Sequence, residues 1–527
     1  MWGSAPRPRK PCKGLRESFT KEPMIVRNVS ERKEGSKELE LVKRFADFGF
    51  QINPEAIELL THYSSTRERE EDFDLGELAE CVTKSVDPSI FVISVDQVAE
   101  FIKKNGVKSA EKEKNVLTQR LRVEAPVIIK SFPEHGRGAD HKDFLPYFID
   151  RYERLSGIIK KRLKCGQIRF IKNGSASEEI SVVGMVSSIT KTAKGNVRVE
   201  LEDTTGSLSV IVPHKEELIT DEIIGVTGFL SNGGYLIAER IIYPDVPIPT
   251  AMSQSSLPLS EREQRRRSVH AVFISDLHLG SATFLEGVWG RFVQWLNEEA
   301  SSLGIAYLVV AGDIVDGIGV YPGQEEDLSI MDIEEQYKRA AGYLRNFPSH
   351  IHVVIAPGNH DAVRSAEPQP PLPDNIRKLF PANTCFVSNP AYIRLGSRQV
   401  LIYHGQSYDD FVSSVSRLSY SKPEEVMIEM LRRRHLAPIY GNSVSIVPDG
   451  HDYGVIDPVP EIFQCGHTHT VGISKYRNVL LINSGTWQSQ TPYQKKRGIN
   501  PVTGCATVVD LHELKVTVMD FGRRSGA

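Results

Sequence analysis

The sequence predicts a multidomain protein: a small α-helical N-terminal module, a β-barrel, and a C-terminal α/β domain built in layers. Three observations carry this. Apolar residues recur at helical spacing between Leu39 and Tyr63, and five short alternating segments between Val182 and Ala238 read as strands. Beyond Ser268, apolar runs alternate with helical stretches, and each run ends in polar residues. At 527 residues the chain is too long for one hydrophobic core.

Composition narrows the function classes. Sixty-four Lys and Arg face 67 Asp and Glu, and the net charge of −3 gives no global field to hold a polyanion, so any nucleic-acid contact must be local. No apolar run approaches the roughly 18 residues of a spanning helix, which excludes a membrane protein. The six cysteines form no CxxC pair, so neither a thiolate zinc site nor a disulfide scaffold is expected. The basic N-terminus lacks the apolar stretch of a secretion signal, and the default compartment is the cytoplasm.

Residues 1–36 hold nine Lys/Arg against four Asp/Glu, with Pro6, Pro8 and Pro11, and read as a disordered basic tail in which Met24 is an alternative start. Residues 37–105 form the helical module: Leu39, Val42, Phe45 and Phe48 share a spacing, Asn53-Pro54 starts a helix, and Ile57, Leu60 and Tyr63 continue it. Residues 106–150, charged and punctuated by Gly136-Arg137-Gly138, read as a linker. Residues 151–248 form the barrel domain. A helix over 151–164 precedes strands at 182–186, 197–201, 208–212, 223–228 and 235–238, with a tight turn over 202–206. Five such strands fit a closed barrel of the oligonucleotide-binding (OB) type. Only Phe229 and Tyr235 supply aromatic rings there, so nucleic-acid contact and a docking or spacer role both stay open. The Pro/Ser-rich segment 249–267 is a second linker, and 268–527 is the α/β domain.

That domain carries the chemistry. Its strands end in Asp276-Leu277-His278, in Gly312-Asp313-Ile314-Val315-Asp316, in Pro357-Gly358-Asn359-His360-Asp361, in His404-Gly405, and in Gly466-His467-Thr468-His469. No core needs Asp, His and Asn at five strand tips; a site at strand ends does. Asp276, His278, Asp313, Asn359, His404, His467 and His469 make seven candidate ligands, enough for two ions with Asp313 bridging. Oxygen and imidazole donors without thiolates favour Mn²⁺, Mg²⁺, Fe²⁺ or Zn²⁺.

These motifs, in that order, resemble the calcineurin-like metallophosphoesterase signature. With the helical module, the barrel, the stretch from Leu431 to Gly441, Asn483-Ser484-Gly485-Thr486-Trp487 and Thr491-Pro492-Tyr493-Gln494, the chain resembles the small-subunit family of archaeal family-D DNA polymerases. These are relatives of the eukaryotic polymerase B subunits. The likeness covers about residues 165 to 521. It implies a four-layer α/β metallophosphoesterase domain and a proofreading 3′ to 5′ exonuclease using two divalent ions, Mn²⁺ first among them. The implied partners are a large catalytic subunit, in which synthesis resides, and single-stranded or primer-template DNA, with a sliding clamp and primase as further candidates. Eukaryotic relatives have lost metal ligands and serve as scaffolds, whereas every ligand position is filled here. Two alternatives are action on another phosphate ester, opposed by the attached barrel and by the Leu431 to Gly441 segment, and an inactive accessory scaffold for the large subunit, opposed by the filled ligand set.

By motif position, Asp276, His278 and His469 would hold one ion, Asn359, His404 and His467 the other, and Asp313 both. The metal pair would activate a water for in-line attack. His360 is the candidate general acid, with Asp361 orienting it. Asp316 is expected behind the ligands. Arg432-Arg433-Arg434-His435 reads equally as a phosphate contact or a solvated helix face, His435 and His451 as surface residues, and Gln488, Gln490 and Tyr493 as rim residues.

Overall fold

The computed structural model describes residues 25–27, 37–48, 50–53, 56–57, 59–61, 75–86, 92–104, 124–133, 141–171, 179–192, 195–213, 216–248, 269–496 and 498–523. Among them no helix is long and apolar enough to cross a membrane. The linker expected at 249–267 lies outside the described residues, as does the tail apart from one strand, β1 (Ile25–Arg27). This strand pairs in parallel with residues 517–519, so that stretch is not the free tail expected of it.

The helical module contains α1 (Lys37–Asp47), α2 (Leu75–Ser85) and α3 (Val95–Lys104), with a short parallel pair of β2 (Gln51–Ile52) and β3 (Val92–Ile93). Leu41, Phe45, Leu78, Val82, Val98 and Ile102 form its core. The helix expected around Phe45 is present, but its buried face is displaced: Leu41 pairs with Phe45, while Val42 and Phe48 are exposed.

Residues 106–150 are not simply a linker. Strand β4 (Val127–Ser131) pairs antiparallel with residues 391–394 of the C-terminal domain, and the Phe132 amide donates to Ser388 Oγ at 2.7 Å. Helix α4 (Phe144–Lys160) begins seven residues before its expected start. Pro146 sits in its first turn, where no intrahelical N–H is missed, so the proline that suggests a loop is compatible with the helix. A short helix α5 (Ile168–Ile171) follows.

Strands β5 (Glu179–Lys191), β6 (Val197–Asp203), β7 (Gly206–Val212), β8 (Ile223–Leu230) and β9 (Leu236–Ile242) close into a barrel in the order β5-β6-β7-β9-β8. Alternate residues Val197, Val199 and Leu201 on β6, and Leu208, Val210 and Val212 on β7, point into its core. The turn joining these strands is held by Asp203 Oδ1, which accepts from the amides of Thr205 and Gly206.

The C-terminal domain runs β10 (His270–Ile274), α6 (Glu286–Leu303), β11 (Ile305–Ala311), α7 (Ile333–Arg345), β12 (His352–Ala356), β13 (Thr384–Phe386), β14 (Ala391–Leu395) and β15 (Arg398–Ile402). It continues with α8 (Tyr408–Ser414), α9 (Pro423–Arg433), β16 (Ile462–Cys465), β17 (Gly472–Tyr476), β18 (Val479–Asn483), β19 (Cys505–Asp510) and β20 (Val516–Asp520). Seven strands form one sheet, β1-β20-β19-β10-β11-β12-β13, and six the other, β17-β18-β16-β15-β14-β4. Phe273, Val309, Ile393, Ile402 and Ile482 pack between the sheets. Trp289, Phe292, Tyr337 and Val310 fill the outer face under α6 and α7; Phe411, Met430, Leu401 and Phe463 fill the other under α8 and α9. Four layers result. Strands buried on both faces read as continuous apolar runs, which is how they stand in the sequence.

The basic stretch that ends α9 is no solvated face: Arg432 is partly exposed, and the three residues after it are buried. Arg433 is buried, with Nε 2.7 Å from Glu222 of the barrel, and Arg434 donates from Nε to the Ile456 carbonyl at 2.6 Å. His435, expected at the surface, is buried against Asp452, which also receives Nε of Arg151 from α4 at 2.7 Å. Buried charges demand partners, and here they bolt helix, barrel and layered domain together. His451 stays partly exposed beside Asp150.

Candidate metal centre

Parallel strands β10, β11 and β12 end at the same rim of one sheet, and β15 and β16, also parallel, end at the facing rim of the other. The loops leaving these five strand ends carry all seven candidate ligands. Five of those residues adopt left-handed backbone: Asp276 (φ 53°), His278 (51°), Asp313 (52°), His467 (66°) and His469 (57°). Such conformations cost about 1–3 kcal/mol each and persist where surrounding structure enforces them, typically at functional sites. Glycines make the close approach feasible: a Cβ on Gly358 would overlap Asp313 Oδ1, and one on Gly466 would crowd Asp276 Oδ2.

The donors converge in two groups. Nε2 of His278 lies 3.0 Å from Nε2 of His469, which is 3.5 Å from Asp276 Oδ1. Nε2 of His404 lies 3.0 Å from Asn359 Oδ1 and 3.3 Å from Asp313 Oδ2, and His467 Nδ1 lies 3.1 Å from the same Asn359 oxygen. Asp313 Oδ2 faces both groups, being 3.7 Å from His278 Nε2. Asp276, His278 and His469 offer ligand atoms within 4.8 Å of one another, as do Asp276, Asp313 and His404, and His278, Asp313 and His360. Buried carboxylates and imidazoles crowded at this spacing, with no sulfur among them, fit two hard or borderline divalent cations.

Electrostatics follow from the crowding. Burial would raise Asp313, but His404, His360 and His278 hold its carboxyl well below the usual range. Burial would likewise depress His404, yet the charge of Asp313 lifts it to about 10. His467, buried beside His404, is pushed down to about 4. Three of the four rings are also held from behind: His278 Nδ1 by Asp316 at 2.8 Å, His404 Nδ1 by the Ala311 carbonyl at 2.8 Å, and His469 Nδ1 by Gln494 at 2.8 Å. Such partners fix which nitrogen faces the centre.

His360 sits at the edge of the site, its ring edge-on to His278 with centroids 4.7 Å apart and its Nδ1 2.7 Å from the Asp316 carbonyl. Asp361 does not orient it. Its carboxylate turns inward to accept from the Gly358 amide (2.8 Å) and from the Tyr337 hydroxyl (2.9 Å), so it holds the loop that carries Asn359. Asp316 stands behind His278, and Gln488 donates to Asp316 Oδ1 at 3.2 Å, within the buried wall rather than on the rim; Gln490 is exposed and donates to the Ile499 carbonyl.

Sequence reasoning assigned no role to Gln494, Gln324, Tyr337 or Asn483. Asn483, at the end of β18, donates to Thr468 Oγ1 and the Thr470 carbonyl and so shapes the loop of His467 and His469. Its signal was its place at a sixth parallel strand end, beside the five already counted.

The family model that describes the B subunit of DNA polymerases alpha and epsilon matches residues 271–471. The DNA polymerase II small subunit of Archaeoglobus fulgidus is 40% identical over 504 residues, covering 92% of this chain and 97% of its own. That of Thermoplasma acidophilum is 35% identical over 491 residues, covering 91% and 92%. Among solved structures, Entamoeba histolytica Vps29 complexed with zinc aligns with 47% of this chain and 90% of its own at 14% identity, with a TM-score of 0.26 too low to bear on fold.

Proposed function

Since the chain belongs to the DNA polymerase II small subunit family of archaeal family-D enzymes, and therefore has a large catalytic subunit as partner, we propose that it is the proofreading nuclease of that assembly. It removes nucleotides from DNA 3′ ends by phosphodiester hydrolysis. On this reading the layered domain is a calcineurin-like metallophosphoesterase and the barrel an OB-fold.

One observation carries the proposal: seven donors from five separate strand ends meet in a space fit for two cations. A scaffold has no use for that convergence or for the backbone strain that maintains it. Asp276, His278 and His469 would hold one ion, Asn359, His404 and His467 the other, and Asp313 both, with Mn²⁺ the first candidate. Bound there, such ions supply Lewis acidity toward phosphate oxygens and activate water for in-line attack. His360 donates from Nδ1 to the Asp316 carbonyl, so a proton for the departing 3′ oxygen must come from Nε2 of the imidazolium, a form that burial disfavours and the neighbouring Asp313 carboxylate supports. Asp361 acts through the loop, holding Asn359 and His360 in place.

The test is incubation of the purified chain with Mn²⁺ and 5′-labelled single-stranded DNA, alongside a small phosphodiester. Stepwise shortening from the 3′ end is expected. Turnover of the small ester with intact DNA would overturn the nuclease reading.

A further inference from the structure

We infer that the junction of α4, α5 and the barrel is a second surface for single-stranded DNA, apart from the metal centre. Between Gly157 and Ile171 the chain carries Lys160, Lys161, Arg162, Lys164 and Arg169 and no acidic residue, in a protein of net charge −3. All five are exposed. Cations in the last turn of a helix offset its dipole, which accounts for Lys160 and Lys161. That explanation does not reach Lys164, which lies beyond the end of α4, nor Arg169, since the four residues of α5 have little dipole to offset.

Beside them Phe170 is 64% exposed, and the Arg169 guanidinium stands 4.6 Å from its ring centre. A phenyl ring left in water next to a guanidinium is a plane on which a base can stack. Next to it opens a cleft of about 400 Å³ lined by Tyr152, Lys160, Lys164, Gln167 and Thr204. Asp203, its one carboxylate, is already taken by the amides of Ile168, Thr205 and Gly206. The cleft therefore offers ammonium, amide and hydroxyl donors, the groups that meet phosphate oxygens.

The ring selects the ligand. A duplex keeps its bases stacked and shows only phosphates, and an acidic protein segment satisfies the lysines but gives Phe170 nothing. An unpaired strand uses both. The inference takes its polymer from the proposed nuclease role, but it is tested without hydrolysis.

Anisotropy of a labelled oligo-dT bound to the full chain, in EDTA and across a salt series, reads the surface directly. Lys160→Gln with Lys164→Gln should lower the slope of log affinity against log salt by about 1.4, from roughly 0.7 for each phosphate that the two lysines no longer neutralise. Phe170→Ala should weaken single-strand binding about ten-fold, leave the salt slope unchanged and spare duplex binding. Wild-type affinity in both variants overturns the inference. So does weakening by the lysine pair without any effect of Phe170→Ala, which would make the patch a general anion surface suited to an acidic protein segment. Because EDTA removes hydrolysis from the readout, an inactive metal centre does not affect this result. Loss of binding here in turn leaves the nuclease assay to be judged by itself.

Discussion

Asp316 Oδ1 lies 2.8 Å from Nδ1 of His278, and the opposite nitrogen of the same ring faces His469 at 3.0 Å. A carboxylate on Nδ1 keeps a proton there and turns the Nε2 lone pair toward the centre. Burial alone would depress His278, but its bond to Asp316 and the charges of Asp316, Asp313 and Asp276 lift it to about 9. The metal-free ring is thus protonated at neutral pH and must release a proton to bind an ion. Metal affinity should therefore rise from pH 7 to 9. Asp316→Asn should weaken it about 10–100-fold. Calorimetric Mn²⁺ titrations at several pH values check both; an unchanged affinity in the variant would show that His278 needs no such support.

Asp313 and His360 separate holding from proton transfer. Asp313 Oδ2 faces both donor groups, so Asp313→Ala should lose both ions, and elemental analysis that still finds two per chain would sink its bridging place. His360→Ala should retain the ions while cleavage falls about 10²–10⁴-fold. Loss of metal in that variant would instead make His360 a ligand, as its grouping with His278 and Asp313 permits.

Why the ligands were legible and their supports were not has a physical reason. Asp276, Asp313 and His467 follow apolar strands directly, and the strand-end rule finds them without knowledge of which strands pair. Gln494 reaches His469 from a segment 25 residues away, and Tyr337 reaches Asp361 from a helix, contacts that only tertiary packing creates. The same limit hid β4: Val127, Ile128 and Ile129 are all half exposed on an edge strand, so no alternation marks them. His435 and Arg433 are polar side chains and so read as surface; their partners Asp452 and Glu222 lie in other parts of the chain.

Gly358 tests how tightly the centre is built. A Cβ there would overlap Asp313 Oδ1 and press on His404, so Gly358→Ala should cost about 1–3 kcal/mol and impair metal binding. Gly342, inside α7, has nothing within 4 Å of the same position, and Gly342→Ala should stabilise by roughly 0.5–1 kcal/mol through helix propensity. Thermal melts of the pair decide the matter. A Gly358→Ala chain with unaltered Tm and metal content would mean the loops relax freely.

The Arg151–Asp452–His435 cluster sets an acid limit on stability. His435 Nε2 lies 2.8 Å from Asp452 Oδ2, and its Nδ1 accepts from the Ala437 amide at 3.1 Å, so the folded ring is neutral with its proton on Nε2. Burial and the neighbouring Arg151 push its pKa down to about 4, against the pull of Asp452. An unfolded histidine titrates near 6.5. Between about pH 6.5 and 4 the unfolded chain therefore takes up a proton that the folded chain refuses. Stability is complete above that window and declines as pH falls through it, by up to about 1.4 kcal/mol per unit and about 3 kcal/mol in all. Asp452 adds nothing in that window: although burial would raise its carboxyl, His435 and Arg151 hold it well below the usual range, so its own contribution is lost only at lower pH. His467, also pushed down to about 4, contributes in the same direction, so the readout is the difference between wild type and His435→Gln. Urea denaturation of the metal-free chain at pH 7, 6, 5 and 4.5 should give a shallower pH slope for the variant, and parallel slopes would mean that His435 carries its proton in the folded state.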